Sequence, residues 1–314
     1  MKRIMEWLPD RVDARLKIIG WIYLFGQIVL VGTGGLVRLT SSGLGCPTWP
    51  KCTDDSLVNT PEMGVHGLIE FGNRALGILL GIVAIVAFVA ILRLRKERKD
   101  LFWLTLLAGL GFPAQAVIGG FSVLTGLNPY VVGLHFVVSI ALVALCTAFL
   151  IRLYAVPGPR TLAVPGWFAG VAHLTSFAVT ITILIGILTT GAGPHAGDAD
   201  APRNGLDTEI MDHVHAIPAY VTFALTLALV IGSLLIRTKT PVRTYALWLL
   251  VVEVLQIAVG LIQANTGLPE VLVGIHMTLA AALAAMMTAV ILSLKAPAST
   301  VANPEDSPAE AVAA

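Results

Sequence analysis

The sequence predicts an all-α integral membrane protein whose eight transmembrane helices form two pseudo-symmetric four-helix bundles. Three observations lead there. Charged residues make up only 12% of the 314-residue chain, and 56% of its residues are hydrophobic. A soluble domain carries about 25% charged residues, so this chain has too little charge to cover a water-facing surface. Its mean hydropathy is +0.85. Eight apolar stretches are long enough to cross a bilayer as helices. The second four repeat features of the first. The same composition excludes disorder, collagen and a disulfide scaffold. A net charge of +1 without a basic face excludes nucleic-acid binding.

The spans, in order, are Ile18–Val37, Gly67–Leu92, Leu101–Leu124, Tyr130–Leu150, Trp167–Leu188, Met211–Ile236, Tyr245–Ile262 and Val271–Leu294. They are apolar all round. Barrel strands would alternate in polarity, so the spans read as helices. The first has no small-residue cleavage site after it and exceeds a signal-peptide core, so it reads as a retained span. Sixteen of the 20 Lys and Arg residues fall on one side: five from Lys2 to Lys17, five in RLRKERKD (Arg93–Asp100), then Arg152, Arg160, Arg237, Lys239, Arg243 and Lys295. That side is cytoplasmic by the positive-inside rule, which places both termini there and the protein in the cell membrane. Arg38, Lys51, Arg74 and Arg203 remain outside. The organisation expected is an N-terminal half over 1–156, a C-terminal half over 157–296 and a Pro/Ala/Ser/Glu-rich disordered tail over 297–314, with Ala296 at its start.

The repeat is read by aligning AQAVIGGFSVLTGLNPYVVGLH (Ala114–His135) with LQIAVGLIQANTGLPEVLVGIH (Leu255–His276). Gln115 meets Gln256, Gly119 meets Gly260, and Thr125-Gly126-Leu127 meets Thr266-Gly267-Leu268. Gly133 meets Gly274, and His135 meets His276. One further residue of shift aligns Glu70-x-x-Asn73 with Asp212-x-x-His215. Four spans per half keep the halves in the same orientation, so the repeats are parallel about the membrane normal.

His135, His215 and His276 lie near the outer ends of spans 4, 6 and 8, which run in the same direction. Imidazoles from neighbouring helices at matched depth suit the two axial positions of a haem iron, and His215 with His276 is the pair so read. The plainer alternative for each is an interfacial hydrogen-bonding residue. Zinc is disfavoured because no Cys, His and carboxylate set of four converges. In HGLIEFGNR (His66–Arg74), His66, Glu70 and Asn73 share one helical face. Glu70 is open to two readings, an inert partner of Arg74 or a proton donor and acceptor beside a substrate. Cys46 and Cys52 face the oxidising side in GLGCPTWPKC, with Pro47 and Pro50 between them. A disulfide is expected there, against two free thiols, and its structural or redox role is open. Cys146 reads as a small core residue and His173 as packed or hydrogen-bonded. His195, in the outer stretch Thr189–Arg203, reads as a solvated loop residue or part of a lid over a cofactor. His213 points away from His215.

GTGGLVRLTSSGLGCPTWPKC, IEFGNR, GLH and the matching GIH together resemble the haem A synthase family, over essentially all eight spans. The resemblance implies an oxidoreductase that converts the C8 methyl of haem O to a formyl group, giving haem A for cytochrome oxidase assembly. Two successive hydroxylations and loss of water achieve this. It implies that His215 and His276 ligate a permanent haem b, that His135 belongs to the haem O site, and that Glu70 is a functional glutamate. Cys46 and Cys52 match the family's cysteine pair. Haem O synthase, a membrane electron carrier and a second copy of the chain are the partners it implies. Gly133 and Gly274, two residues before a ligand, are expected to admit the macrocycle. The family pattern Glu-x-x-His-Arg is broken here by Asn73. The second axial face of the substrate haem is then open or taken by His66. The rival reading is a two-haem cytochrome b relaying electrons from quinol.

Overall fold

The structure, a computed structural model, describes residues 8–298. Lys2 and Arg3 of the positive cluster, and the tail beyond Ala298, lie outside the described residues. Among the described residues eight helices are long and apolar enough to cross a membrane. These are α1 (Ala14–Leu39), α2 (Gly64–Ile91), α3 (Lys99–Leu124), α4 (Pro129–Tyr154), α5 (Gly166–Ala192), α6 (Thr208–Leu235), α7 (Val242–Asn265) and α8 (Glu270–Ser293). Each covers or closely overlaps one predicted span. At most 39% of the most apolar window of any of them is buried within the protein. Ile78, Ile85, Phe177 and Leu235 point outward, a surface suited to lipid.

Local chemistry sets the ends. Asp13 caps α1 by accepting from Leu16 N at 3.2 Å, Asn128 caps α4 from Tyr130 N at 3.0 Å, and Asp207 caps α6 from Ile210 N at 2.9 Å. A short 3₁₀ turn, Pro61–Met63, leads into α2 through Gly64 at φ 58°. The start of α2 three residues ahead of the predicted span puts His66 inside its first turn. The turns α3–α4 and α7–α8 are the same turn twice. Gly126 and Leu127 have φ of 60° and 61°, and Gly267 and Leu268 have 77° and 58°. Leu127 N donates to Ser122 O at 2.7 Å, and Leu268 N to the aligned Gln263 O at 2.9 Å. The aligned Thr-Gly-Leu triplets thus repeat as geometry and not only as letters.

Consecutive helices pack antiparallel, and α8 also packs against α1 and α4. One core gathers Leu16, Tyr23, Ile91, Leu101, Val143 and Phe149 from α1–α4, together with Ala281 and Ala285 of α8. A second gathers Phe168, Val179, Leu229, Leu249 and Val290 from α5–α8. At the end opposite Cys46 and Cys52, β1 (Arg160–Leu162) pairs antiparallel with β2 (Lys295–Pro297). Ala296 and Pro297, read from sequence as the head of a disordered tail, are therefore paired in a strand. The chain there is held by neighbouring backbone that its composition does not reveal.

Candidate functional site

Within α5–α8, His215 of α6 and His276 of α8 face each other with ring centroids 6.3 Å apart and planes at 75°. Both Nδ1 atoms are buried without a hydrogen-bond partner. The backbone of Thr182 lies beside the first ring and that of Gln256 beside the second, short of a hydrogen bond. A glycine of the preceding helix makes room for each imidazole. A Cβ at Gly186 of α5 would stand 2.8 Å from His215 Cε1, and one at Gly260 of α7 would stand 3.1 Å from His276 Cε1. Ordinary carbon contacts are ~3.5–4.0 Å, so only glycine leaves the rings where they are.

The same seat recurs in α1–α4. A Cβ at Gly119 of α3 would be 3.0 Å from His135 Cε1. His135 Nδ1 is buried and unpartnered, while its backbone oxygen accepts from Gln115 Nε2 at 3.1 Å. Gln115 Oε1 and its repeat counterpart Gln256 Oε1 are both buried without a partner. At the fourth place a Cβ at Gly34 of α1 would lie 3.9 Å from Asn73 Nδ2, an ordinary contact that needs no glycine. Asn73 Oδ1 accepts from Thr33 Oγ1 at 2.8 Å. Asn73 thus stands where the repeat has His215, turned toward α1 and tied there.

Glu70 belongs to a different contact. It is 5% exposed, Oε2 accepts from Cys46 N at 2.6 Å, and Oε1 pairs with Arg74, whose Nε stands at 3.1 Å. Arg74 also donates to Cys46 O at 3.1 Å, Thr48 O at 3.2 Å and Lys51 O at 3.3 Å. The pair clamps the loop closed by the Cys46–Cys52 disulfide, which the structure contains, to the first turns of α2. The pairing with Arg74 is thus present, and both readings of Glu70 allow it.

The remaining residues disperse. His66 is exposed, and its Nδ1 meets Ser42 Oγ at 2.9 Å. His213 is exposed, and so is His173, which was read as packed or hydrogen-bonded; it is not packed inside. On a lipid-facing helix an apolar context does not reveal which side looks inward. Cys146 is fully buried and free. His195 is pinned, with Nε2 at 2.9 Å from Leu268 O and its own carbonyl accepting from Arg38 Nε at 2.5 Å. Gly133 and Gly274, expected to admit the macrocycle, stand against neighbouring helices. A Cβ at Gly133 would meet Ile187 of α5 at 2.8 Å, and one at Gly274 would meet Leu39 of α1 at 3.2 Å. They admit side chains of the neighbouring helix. The glycines that do face the imidazoles were visible in sequence only as the aligned pair Gly119 and Gly260.

Two imidazoles bound on opposite sides of one metal ion through bonds of ~2.0–2.1 Å place their centroids roughly 6.4 Å apart. His215 and His276 meet that spacing with no side chain between them that bonds either ring. Among the described residues no group of three or more His, Cys, Asp or Glu converges to hold a bare ion. Two facing imidazoles with a glycine behind each ring are of a kind that could hold a haem iron between them.

Residues 17–288 match the COX15-CtaA family model, described as cytochrome oxidase assembly protein. A Listeria monocytogenes protein named heme A synthase is 26% identical over 286 residues, 87% of this chain and 91% of that one. One of the same name from Halalkalibacterium halodurans is 29% identical over 160 residues, 49% of this chain, and the chain spans about half of it, 52%. Another from Listeria welshimeri is 32% identical over 139 residues, 44% of each chain.

Proposed function

We infer the activity of this chain from the family to which it belongs, the COX15-CtaA cytochrome oxidase assembly proteins: it is a haem A synthase. The observation that carries this is a match running through all eight spanning helices. The chain is an enzyme of haem A biosynthesis and a multi-pass membrane protein, acting on haem O and yielding haem A. The rival cytochrome relay is not favoured. It needs two bis-histidine sites, and Asn73 holds one of the four ligand places.

In finer terms, we take α1–α4 as the half that receives haem O and α5–α8 as the cofactor half. His135 is the residue that binds the substrate iron, with Asn73 and His66 on the α2 side. Gly119 sets how close His135 stands to α3. Glu70 holds and releases a proton at Oε1 and Oε2. Protonation weakens its bonds to Cys46 N and Arg74, so proton transfer and the position of the disulfide loop are coupled at one carboxylate. The clamped loop keeps water from that end of the site. His215 and His276 would hold a haem b, which when bound supplies one-electron transfer with no coordination place left for oxygen. The reaction is thus an oxidoreduction. A membrane electron carrier and haem O synthase are the proposed partners, with a second copy of the chain. Both termini are placed in the cytoplasm and the disulfide loop outside the cell membrane.

The test is extraction and mass analysis of the haems bound after expression with a supply of haem O. Haem A or its hydroxylated precursor is expected. Haem O recovered unchanged, under conditions where a known synthase converts it, overturns the reading.

A further inference from the structure

Two arginines at the disulfide end carry charge that no carboxylate answers. Arg38, in the last turn of α1, donates from NH2 to Thr190 O at 2.7 Å and from Nε to His195 O at 2.5 Å. Arg203 donates to Ala201 O and to Pro194 O, each at 2.6 Å. Their acceptors Pro194 and His195 are adjacent, and the two guanidinium charges are near enough to repel. Neither forms an ion pair among the described residues, although Asp198 and Asp200 lie in the same loop. Asp198 instead accepts from Asp200 N at 3.0 Å. Arg38 is partly buried and Arg203 reaches solvent, and two cations held side by side against their repulsion leave an anion wanting.

The place of this pair gives the anion. Thr190 is four residues, or ~6 Å of helix, beyond Gly186, the glycine that seats His215. Thr190 Oγ1 also donates to Gly186 O at 2.7 Å. His195, whose carbonyl Arg38 holds, reaches Leu268 O in the turn that opens α8, the helix of His276. The pair therefore stands about one helical turn outside the two facing imidazoles. A haem bound through its iron presents two propionate carboxylates at one edge.

We propose that Arg38 and Arg203 together form the receptor for the propionate carboxylates of the haem held by His215 and His276, so that α1 completes a cofactor site otherwise built by α5–α8. This rests on the haem reading above. The nearest competitor of the same chemistry is the phosphate of an anionic lipid.

The experiment titrates full-length protein, expressed under haem limitation and held in nanodiscs, with protohaem and with its dimethyl ester. Binding is followed by the low-spin absorbance of the iron. Wild type should prefer the diacid by about tenfold or more, the scale of a charge-assisted hydrogen bond. Arg38→Gln and Arg203→Gln should lose that preference while binding the ester as wild type does, and Arg38→Lys should keep part of it. The midpoint potential of the protohaem complex should fall in Arg203→Gln, because withdrawing a positive charge favours the oxidised iron. Equal weakening toward both ligands in both glutamine variants shows a loop-holding role only and overturns the proposal. A preference that survives in both variants overturns it as well, as does a change confined to retention of anionic phospholipid. Failure of wild type to bind either haem, or a low-spin spectrum that persists in His276→Ala, defeats the haem reading itself.

Discussion

Replacing Gly186 by Ala tests whether the imidazole seats are built to the tolerance that iron ligation needs. The added Cβ would stand 2.8 Å from His215 Cε1. Ordinary carbon contact begins near ~3.5 Å, so the ring must retreat by ~0.7 Å or α5 must move outward. Binding constellations are held to about 0.5 Å, so the displacement exceeds what the site can absorb. Overpacking of this kind costs about 1–3 kcal/mol, and a cost of that size weakens haem retention roughly 5- to 150-fold. Gly260→Ala, with 3.1 Å to His276 Cε1, should do the same more mildly. Gly119→Ala crowds His135 instead and should leave the low-spin haem of α5–α8 in place. The assay is haem stoichiometry and low-spin absorbance of the purified protein, with haem loss timed against excess apomyoglobin. If Gly186→Ala releases haem within twofold of the wild-type rate, the glycines are not what sets ring position.

Four other outcomes are expected. His215→Ala and His276→Ala should each abolish a low-spin b-type spectrum, and retention of it in both variants would refute the ligand assignment. Peptide mapping without reductant should recover Cys46 joined to Cys52 and Cys146 free; two free outer thiols would contradict the loop geometry. Glu70→Gln removes the charge that holds Cys46 N and Arg74, and haem A formation should drop by about 10²-fold while the low-spin spectrum persists. Wild-type turnover in that variant ends the proposed proton role. Asn73→His should fold and convert bound haem O partly to six-coordinate low spin; an unchanged spectrum with haem O bound would show that this face of α2 does not meet the iron.

Much of this was legible because lipid simplifies the code. A run such as Gly67–Leu92 must be a helix if it crosses at all, and its apolar length alone locates α2 to within a turn. The repeat was legible because Thr-Gly-Leu and Gly-x-His recur together at one fixed offset, which chance seldom supplies. What was not legible follows from the same source. In a span that is apolar on every side, periodicity does not say which face looks inward. His173 was read as packed or hydrogen-bonded, and its outward face was not visible. The contacts of Gly133 with Ile187 and of Gly274 with Leu39 of a neighbouring helix were not visible either. The bonds of Glu70 to the Cys46 loop, and of Arg38 to the backbone at Thr190 and His195, span loops whose course no local pattern records. The strand pairing at Arg160–Leu162 is three residues long, too short to show alternation.

The two glycine contacts with a neighbouring helix have a further consequence. Gly133 joins α4 to α5, and its aligned residue Gly274 joins α8 to α1. The groove beside the first joint is lined by Pro129, Tyr130 and Leu134, and the groove beside the second by their counterparts Glu270, Val271 and Ile275. Such a doubled joint is the isologous contact of a two-fold dimer, drawn here with a single thread. In a dimer of identical subunits every substitution is imposed on both sites at once. A fused pair escapes that rule. One protomer-equivalent can keep His215 while the other carries Asn73, so two halves built alike are free to specialise.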